Sequence, residues 1–573
     1  MKKGLAILFL SLAVLSCPAQ QVDPLPAWDS RAQAAWWDKN PTPDVWPQAV
    51  TDLTAQLAAS YQQNHASAFS SSDFQGWLEH LEWIRLGLDC PDLLSDPDNL
   101  KTFIALGKDG TVAHLFVEKL DPRDNRKQAL KIILDLAKSN PDDLREYAAL
   151  GVAYSLVFDQ PFPRNWPHAQ VEQKAVPIGD LDVVTRFKFY VQANRDKKLD
   201  QDLTQLTFEN LKFLVDSEIK LSEFTYAQQS KISYSQFDDA FFSINYDTTR
   251  TSTANIAVTW GYDTYNLQDI EKKGGICVDQ AYYATELGKG RGIPTLYFHG
   301  QGADGGHAWV GYMMKSGRWN LDCGRYESQN YPKGYALDPQ TWQVIDDTRL
   351  TNFFKNGDTN PNYQPAKNAI AWTGINRNDP VLCRKILDDA RSIMPELAET
   401  WELESALLEN TNASDDDKKS FYQSWIQQFQ TFPDMKVEGQ RHLLAVLKKS
   451  DDPGAHDLEQ DIVLQNRSSG FDQGIQSASA AIFEKIDAGD WDGARLEYEK
   501  TIRDFGDQGG GTLFYNVISP YVAACLKNNQ LKLADRALHF AEERMQIDSG
   551  SILGEDFGKL KGKVSDLMQQ SPQ

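Results

Sequence analysis

The chain is poor in cysteine and in positive charge. Its six cysteines, at positions 17, 90, 277, 323, 383 and 525, have no CxxC spacing. They are too scattered for a disulfide framework or a cysteine-built zinc site. Lysine and arginine total 58 against 80 aspartates and glutamates, and no basic stripe exists that would neutralise a run of phosphates, which excludes nucleic acid as a partner. Long apolar runs are equally scarce. The run from Leu5 to Leu15 falls short of the roughly 20 residues a spanning helix needs, and no later run is longer, so no membrane span is expected.

What the N-terminus does hold is a leader pattern. Lys2 and Lys3, the apolar run, and then Ser16 and Cys17 match the charged region, hydrophobic region and cleavage zone of a secretory signal over residues 1–19. Val14-Leu15-Ser16-Cys17 resembles a bacterial lipobox, which would anchor the chain through an acylated Cys17. Cleavage after Ala19 is the alternative. Either way the expectation is an exported protein of the periplasm or cell envelope, touching a membrane only through an N-terminal lipid.

A chain of 573 residues exceeds what one core usually supports, so several domains are expected. Residues 20–235 read as helical, with Trp and Leu at spacings of three and four in Phe74 to Ile84 and again in Leu130 to Ala137. From 236 to 350 the character changes. Short β-type runs, Thr295 to His299, Ala308 to Met313 and Arg318 to Leu321, are separated by glycine-bearing turns and preceded by a helical stretch, Val278 to Lys289, an α+β arrangement. The Asn- and Pro-rich text around Asn356 to Asn368 predicts a linker over 351–375. Residues 376–573 return to helix, and Gly489 to Tyr498 resembles Asn529 to Leu538 at an offset of 40 residues. Each reads as the second helix of a helix pair, in a repeat-like domain with a surface for a protein partner or in an irregular bundle.

The chemistry is concentrated in Gly274-Gly-Ile-Cys277-Val-Asp-Gln-Ala281, Gly292-Ile-Pro-Thr295, Gly306-His307-Ala-Trp309-Val and Trp319-Asn-Leu-Asp322. A cysteine behind two glycines at a helix start is placed for activation, because the helix dipole and a nearby imidazolium both favour the thiolate. The backbone N–H of Cys277 at that terminus could donate to a developing oxyanion. In kind and order these residues resemble the transglutaminase-like superfamily, over roughly residues 240–345. The resemblance implies a papain-like core of helix plus antiparallel sheet; the flanking N- and C-terminal regions read as helical from their own patterning, the C-terminal one as tetratricopeptide-like on its repeat reading. The resemblance also implies a thiol acyl-transfer site without cofactor, and the export signal points to proteins or peptides of the cell envelope as substrate. Cys277 would be the nucleophile, His307 its base, and Asp322 the carboxylate orienting His307.

Direct pairing of 307 with 322 requires a bulge or an asymmetric loop, because the turn signal Lys315-Ser316-Gly317 is off-centre. Asp338, followed by Pro339, is the alternative acid. Trp260, Tyr265 and Gln268 are candidate oxyanion donors, with Trp260 preferred. Trp309, Arg325, Tyr326 and Tyr331 could shape the cleft. Gly300-Gln-Gly-Ala-Asp-Gly305 spells GxGxxG but leads into a strand, so it does not announce a dinucleotide. His299 and His307 flank that loop without a third ligand at metal spacing, so no metal is expected. A Cys277–Cys323 disulfide would disable or regulate the site.

Overall fold

A computed structural model describes residues 23–251, 260–302, 305–325, 333–356, 360–466 and 471–570. The expected leader with Cys17, and the rim candidates Tyr326 and Tyr331, lie outside them. The fold is α+β, with helices predominating and one five-stranded antiparallel sheet.

The N-terminal helices form where the periodicity places them. The helix Ser72–Asp89 starts at Ser71, whose hydroxyl accepts from Phe74 N–H, and its Phe74, Trp77, Leu78, Leu81 and Ile84 are all buried. One apolar core then runs without a break from Trp37 to Leu350, so the helical region and the sheet share an interior rather than separating near residue 235.

The expected linker over 351–375 is also different: Tyr363–Ile375 is a helix. Pro365 falls in its first turn, where a missing N–H costs nothing, while Ala366, Ala369 and Trp372 are buried and Trp372 meets Phe74 edge-on at 5.7 Å. Small apolar residues at helical spacing outweigh the local Asn and Pro content once a packing surface is present.

Further on, Phe471–Asp487 packs on Trp491–Phe505, and Ser519–Lys527 on Leu531–Glu542, as two helical hairpins. Their turns match, with left-handed residues at Gly489 (φ 77°) and Asn529 (φ 56°). Asp490 N–H bonds Lys485 O at 2.9 Å, and Gln530 N–H bonds Cys525 O at 2.8 Å. Among the described residues no helix is long and apolar enough to cross a membrane.

The strands are β1 (Thr295–Gly302), β2 (Gly305–Met313), β3 (Trp319–Cys323), β4 (Tyr335–Leu337) and β5 (Val344–Asp346), ordered β3-β2-β1-β4-β5. In the β1–β2 hairpin His299 pairs with Ala308 and Gly300 with His307. On the other edge of β2, Tyr312 pairs with Asn320 and Val310 with Cys323, with a register shift between. This bulge advances the register by a single residue. Cys323, the last residue of β3, is therefore already opposite Val310, and His307 extends beyond the paired strand.

Candidate active site

The helix Cys277–Gly290 is started by backbone geometry that only its glycine permits. Gly274 has φ 74°, and a Cβ there would come within 2.4 Å of Asn245 O. Ile276 is extended and the helix opens at Cys277. Asp279, in the first turn and fully buried, accepts from Ile276 N–H through Oδ2 at 2.8 Å and from the Tyr265 hydroxyl through Oδ1 at 2.8 Å. Ile276 has no side-chain acceptor to return the bond, so this is a one-sided capping box. The helix lies close on the sheet: Thr295 Oγ1 donates to Thr285 O at 2.8 Å, and a Cβ on Gly288 would stand 2.3 Å from Thr295 Cγ2.

The backbone N–H of Ala308 in β2 acts on the Cys277 sulfur in favour of the thiolate. Burial pushes the thiol above its ordinary pKa and the Asp279 charge adds to this, against the Ala308, Val278 and Cys277 N–H groups that favour the thiolate. His307 is buried, and its Nε2 lies 2.7 Å from Gly324 O. A carbonyl only accepts, so Nε2 carries the proton and the lone pair is on Nδ1. Burial lowers the imidazole pKa, partly offset by the Gly324 carbonyl. Both shifts favour neutral forms, so the resting pair is thiol and imidazole rather than an ion pair. Among the described residues no hydrogen bond joins them, and strand alternation turns His307 to the sheet face opposite Thr295, whereas the Cys277 helix packs on the Thr295 face.

The remaining candidates are distributed as follows. Asp322 is exposed and accepts from Arg325 at 2.9 Å; because Cys323 pairs with Val310, Asp322 falls on the far side of that pair from His307. The acceptor on the far nitrogen of His307 is therefore the Gly324 carbonyl. Asp338 holds Lys212 at 2.7 Å. The Trp260 indole N–H, expected as an oxyanion donor, is spent on Thr264 O at 2.9 Å, and Tyr265 donates to Asp279. Gln268 is exposed on the helix Leu267–Lys273. Trp309, fully buried, donates to Leu321 O at 3.0 Å and stacks between His307 (6.0 Å) and Phe298 (5.9 Å). Arg325 lies over the Trp309 ring at 5.1 Å and bonds Asp347 at 2.6 Å.

His299 pairs with Ala308, so strand alternation turns it to the face opposite His307, and the two imidazoles cannot converge on one ion. Cys323 points its thiol at Asp238 O, 3.8 Å away, and neither it nor Cys277 is in a disulfide.

Three residues have no role in the sequence reading: Asp279, Gly324, and His168, whose Nε2 lies 2.8 Å from the Tyr265 hydroxyl. Asp279 was legible, as an acid three residues after the N-cap position. Gly324 and His168 were not: the first acts through its carbonyl, and the second comes from more than a hundred residues upstream. No protein-family model, no curated protein and no solved structure matches the chain.

Proposed function

We propose that the chain is a thiol acyl-transfer enzyme with a transglutaminase-like, papain-like core. What supports this reading is a thiol at a helix N-terminus, favoured as thiolate by the Ala308 N–H, with a histidine as the preceding residue of β2; the reaction requires the His307 ring to swing to the face of the sheet that carries the Cys277 helix. Cys277 attacks an amide carbonyl, His307 Nδ1 removes the thiol proton as the C–S bond forms, and the same proton passes to the leaving amine. The Cys277 N–H stabilises the oxyanion, and the Gly324 carbonyl performs the orienting task first assigned to Asp322 or Asp338. Water, at about 55 M, then resolves the acyl-enzyme, giving peptidase or amidase activity; an amine acceptor would give a cross-link. The leader directs this chemistry to proteins or peptides of the cell envelope.

A second reading, an inert scaffold of the same fold, is favoured by one observation: strand alternation turns His307 to the sheet face away from the Cys277 helix. Acylation of Cys277 by an activated ester, followed by mass spectrometry of the labelled peptide, separates the two. For the enzyme, His307→Ala slows acylation by about 10²-fold or more. The acid limb of the native rate also falls below about pH 6.5, because the imidazole must be neutral to act. Equal rates in both proteins would make the chain a scaffold.

A further inference from the structure

Hydrogen bonds in series reach the Cys277 helix from the N-terminal helical region. Gln170 N–H donates to His168 Nδ1 at 3.2 Å, which leaves the ring proton on Nε2. Nε2 is 2.8 Å from the Tyr265 hydroxyl, and that hydroxyl is 2.8 Å from Asp279 Oδ1. The directions follow: His168 donates to Tyr265, Tyr265 donates to Asp279, and Asp279 holds Ile276 N–H at the helix start. The ring of His168 is also stacked on Tyr297 at 5.9 Å, and it meets Tyr265 and Tyr282 edge-on.

Asp279 and a Cys277 thiolate would be like charges in one helical turn. A hydroxyl donated to the carboxylate spreads its charge and weakens that repulsion, and a hydroxyl that itself accepts a hydrogen bond is a stronger donor. We propose that His168 is a positioning residue for Cys277, acting through Tyr265 and Asp279 to ease ionisation of the thiol. The N-terminal helical region thereby enters the nucleophile's electrostatics without touching substrate. The inference rests on Cys277 being the nucleophile.

The test is the pH dependence of Cys277 alkylation by iodoacetamide in the full chain, read on the labelled peptide. His168→Phe keeps the ring on Tyr297 and removes the donor; His168→Gln keeps a donor for Tyr265. Because one pH unit of midpoint is tenfold in thiolate, His168→Phe is expected to slow alkylation on the rising limb by about three- to tenfold, with His168→Gln within about twofold of native. Simple loosening of the site would rehydrate the thiol and shift the midpoint the opposite way. Tyr265→Phe removes the second donor and is expected to shift it in the same direction as His168→Phe, so the proposal stays testable if either variant folds poorly. An unchanged or lowered midpoint in the folded variant overturns it. The measurement needs no turnover, so failure of ester acylation would remove the enzyme reading while leaving this result interpretable.

Discussion

His80 is enclosed by the rings of Trp28, Trp36, Trp37 and Trp77 at 4.7 to 5.7 Å, is fully buried, and has no hydrogen-bond partner for either nitrogen among the described residues. Burial, and then the neighbouring His114, lower its pKa well below the ordinary histidine value. The folded chain keeps this ring neutral, whereas the unfolded chain protonates it near pH 6.5. Its contribution is therefore complete above about pH 6.5 and is lost as the pH falls towards the depressed folded value, at up to about 1.4 kcal/mol per pH unit. Urea midpoints between about pH 7 and 5 should show a shallower decline in His80→Leu than in the native chain; parallel declines would rule out His80 as the acid-sensitive group. At this same scale the sequence was partly legible. A cysteine behind paired glycines and a histidine before Ala-Trp stand out as residue types. An orienting carbonyl does not, because every residue has one, and only the register of β3 shows that the carbonyl at 324 is the one in reach.

At the scale of elements, the helix Cys277–Gly290 and the β1–β2 hairpin are held by close approach more than by polar contacts. Gly288 permits this, since any side chain there meets Thr295 and the Phe237 ring. Gly288→Ala is expected to cost about 1 to 3 kcal/mol, measured by urea unfolding, through a separation of helix and sheet. A cost below about 0.5 kcal/mol would mean that the interface has slack. Strands β1, β2 and β3 were readable from β-branched and aromatic runs between glycine turns, whereas β4 and β5 were not. The irregularity expected from pairing 307 with 322 is not the one present: the shift is a single residue, between Tyr312–Asn320 and Val310–Cys323. Turn residues locate a reversal, but which pair absorbs the extra residue is decided by packing: Cys323 is buried opposite Val310. The Tyr363–Ile375 helix was missed for a related reason. Its buried face is short, with the small Ala366 and Ala369 at its centre, beside Asn and Pro that read as a linker, and it packs against Phe74 and its neighbours in a distant part of the chain.

For the whole molecule, the C-terminal helices are joined to the sheet region by ion pairs, those of Lys333 buried and those of Arg349 partly exposed. Lys333, 6% exposed, is 2.8 Å from Asp434 and 3.3 Å from Asp346, and Arg349 reaches Glu402 and Glu438 at 2.7 and 2.6 Å. Lys333→Met would leave two carboxylates facing each other without a cation, at a cost of roughly 3 kcal/mol. Calorimetry should then show the C-terminal helices melting ahead of the rest; a single transition at the native temperature would assign their attachment to apolar contact instead. Gly511 also sits against the tip of the β1–β2 hairpin, where a Cβ would approach Gly302 O to 2.9 Å. The core that continues from Trp37 to Leu350 has a bearing on portability. Residues 236–350 contain Cys277, His307 and the five described strands, yet they are not a cassette. Cut out and expressed alone, that segment would present to water the apolar faces now shared with the first 235 residues, and the hairpin tip would lose its seat. Transplanting this site to another protein would mean carrying most of the chain along with it.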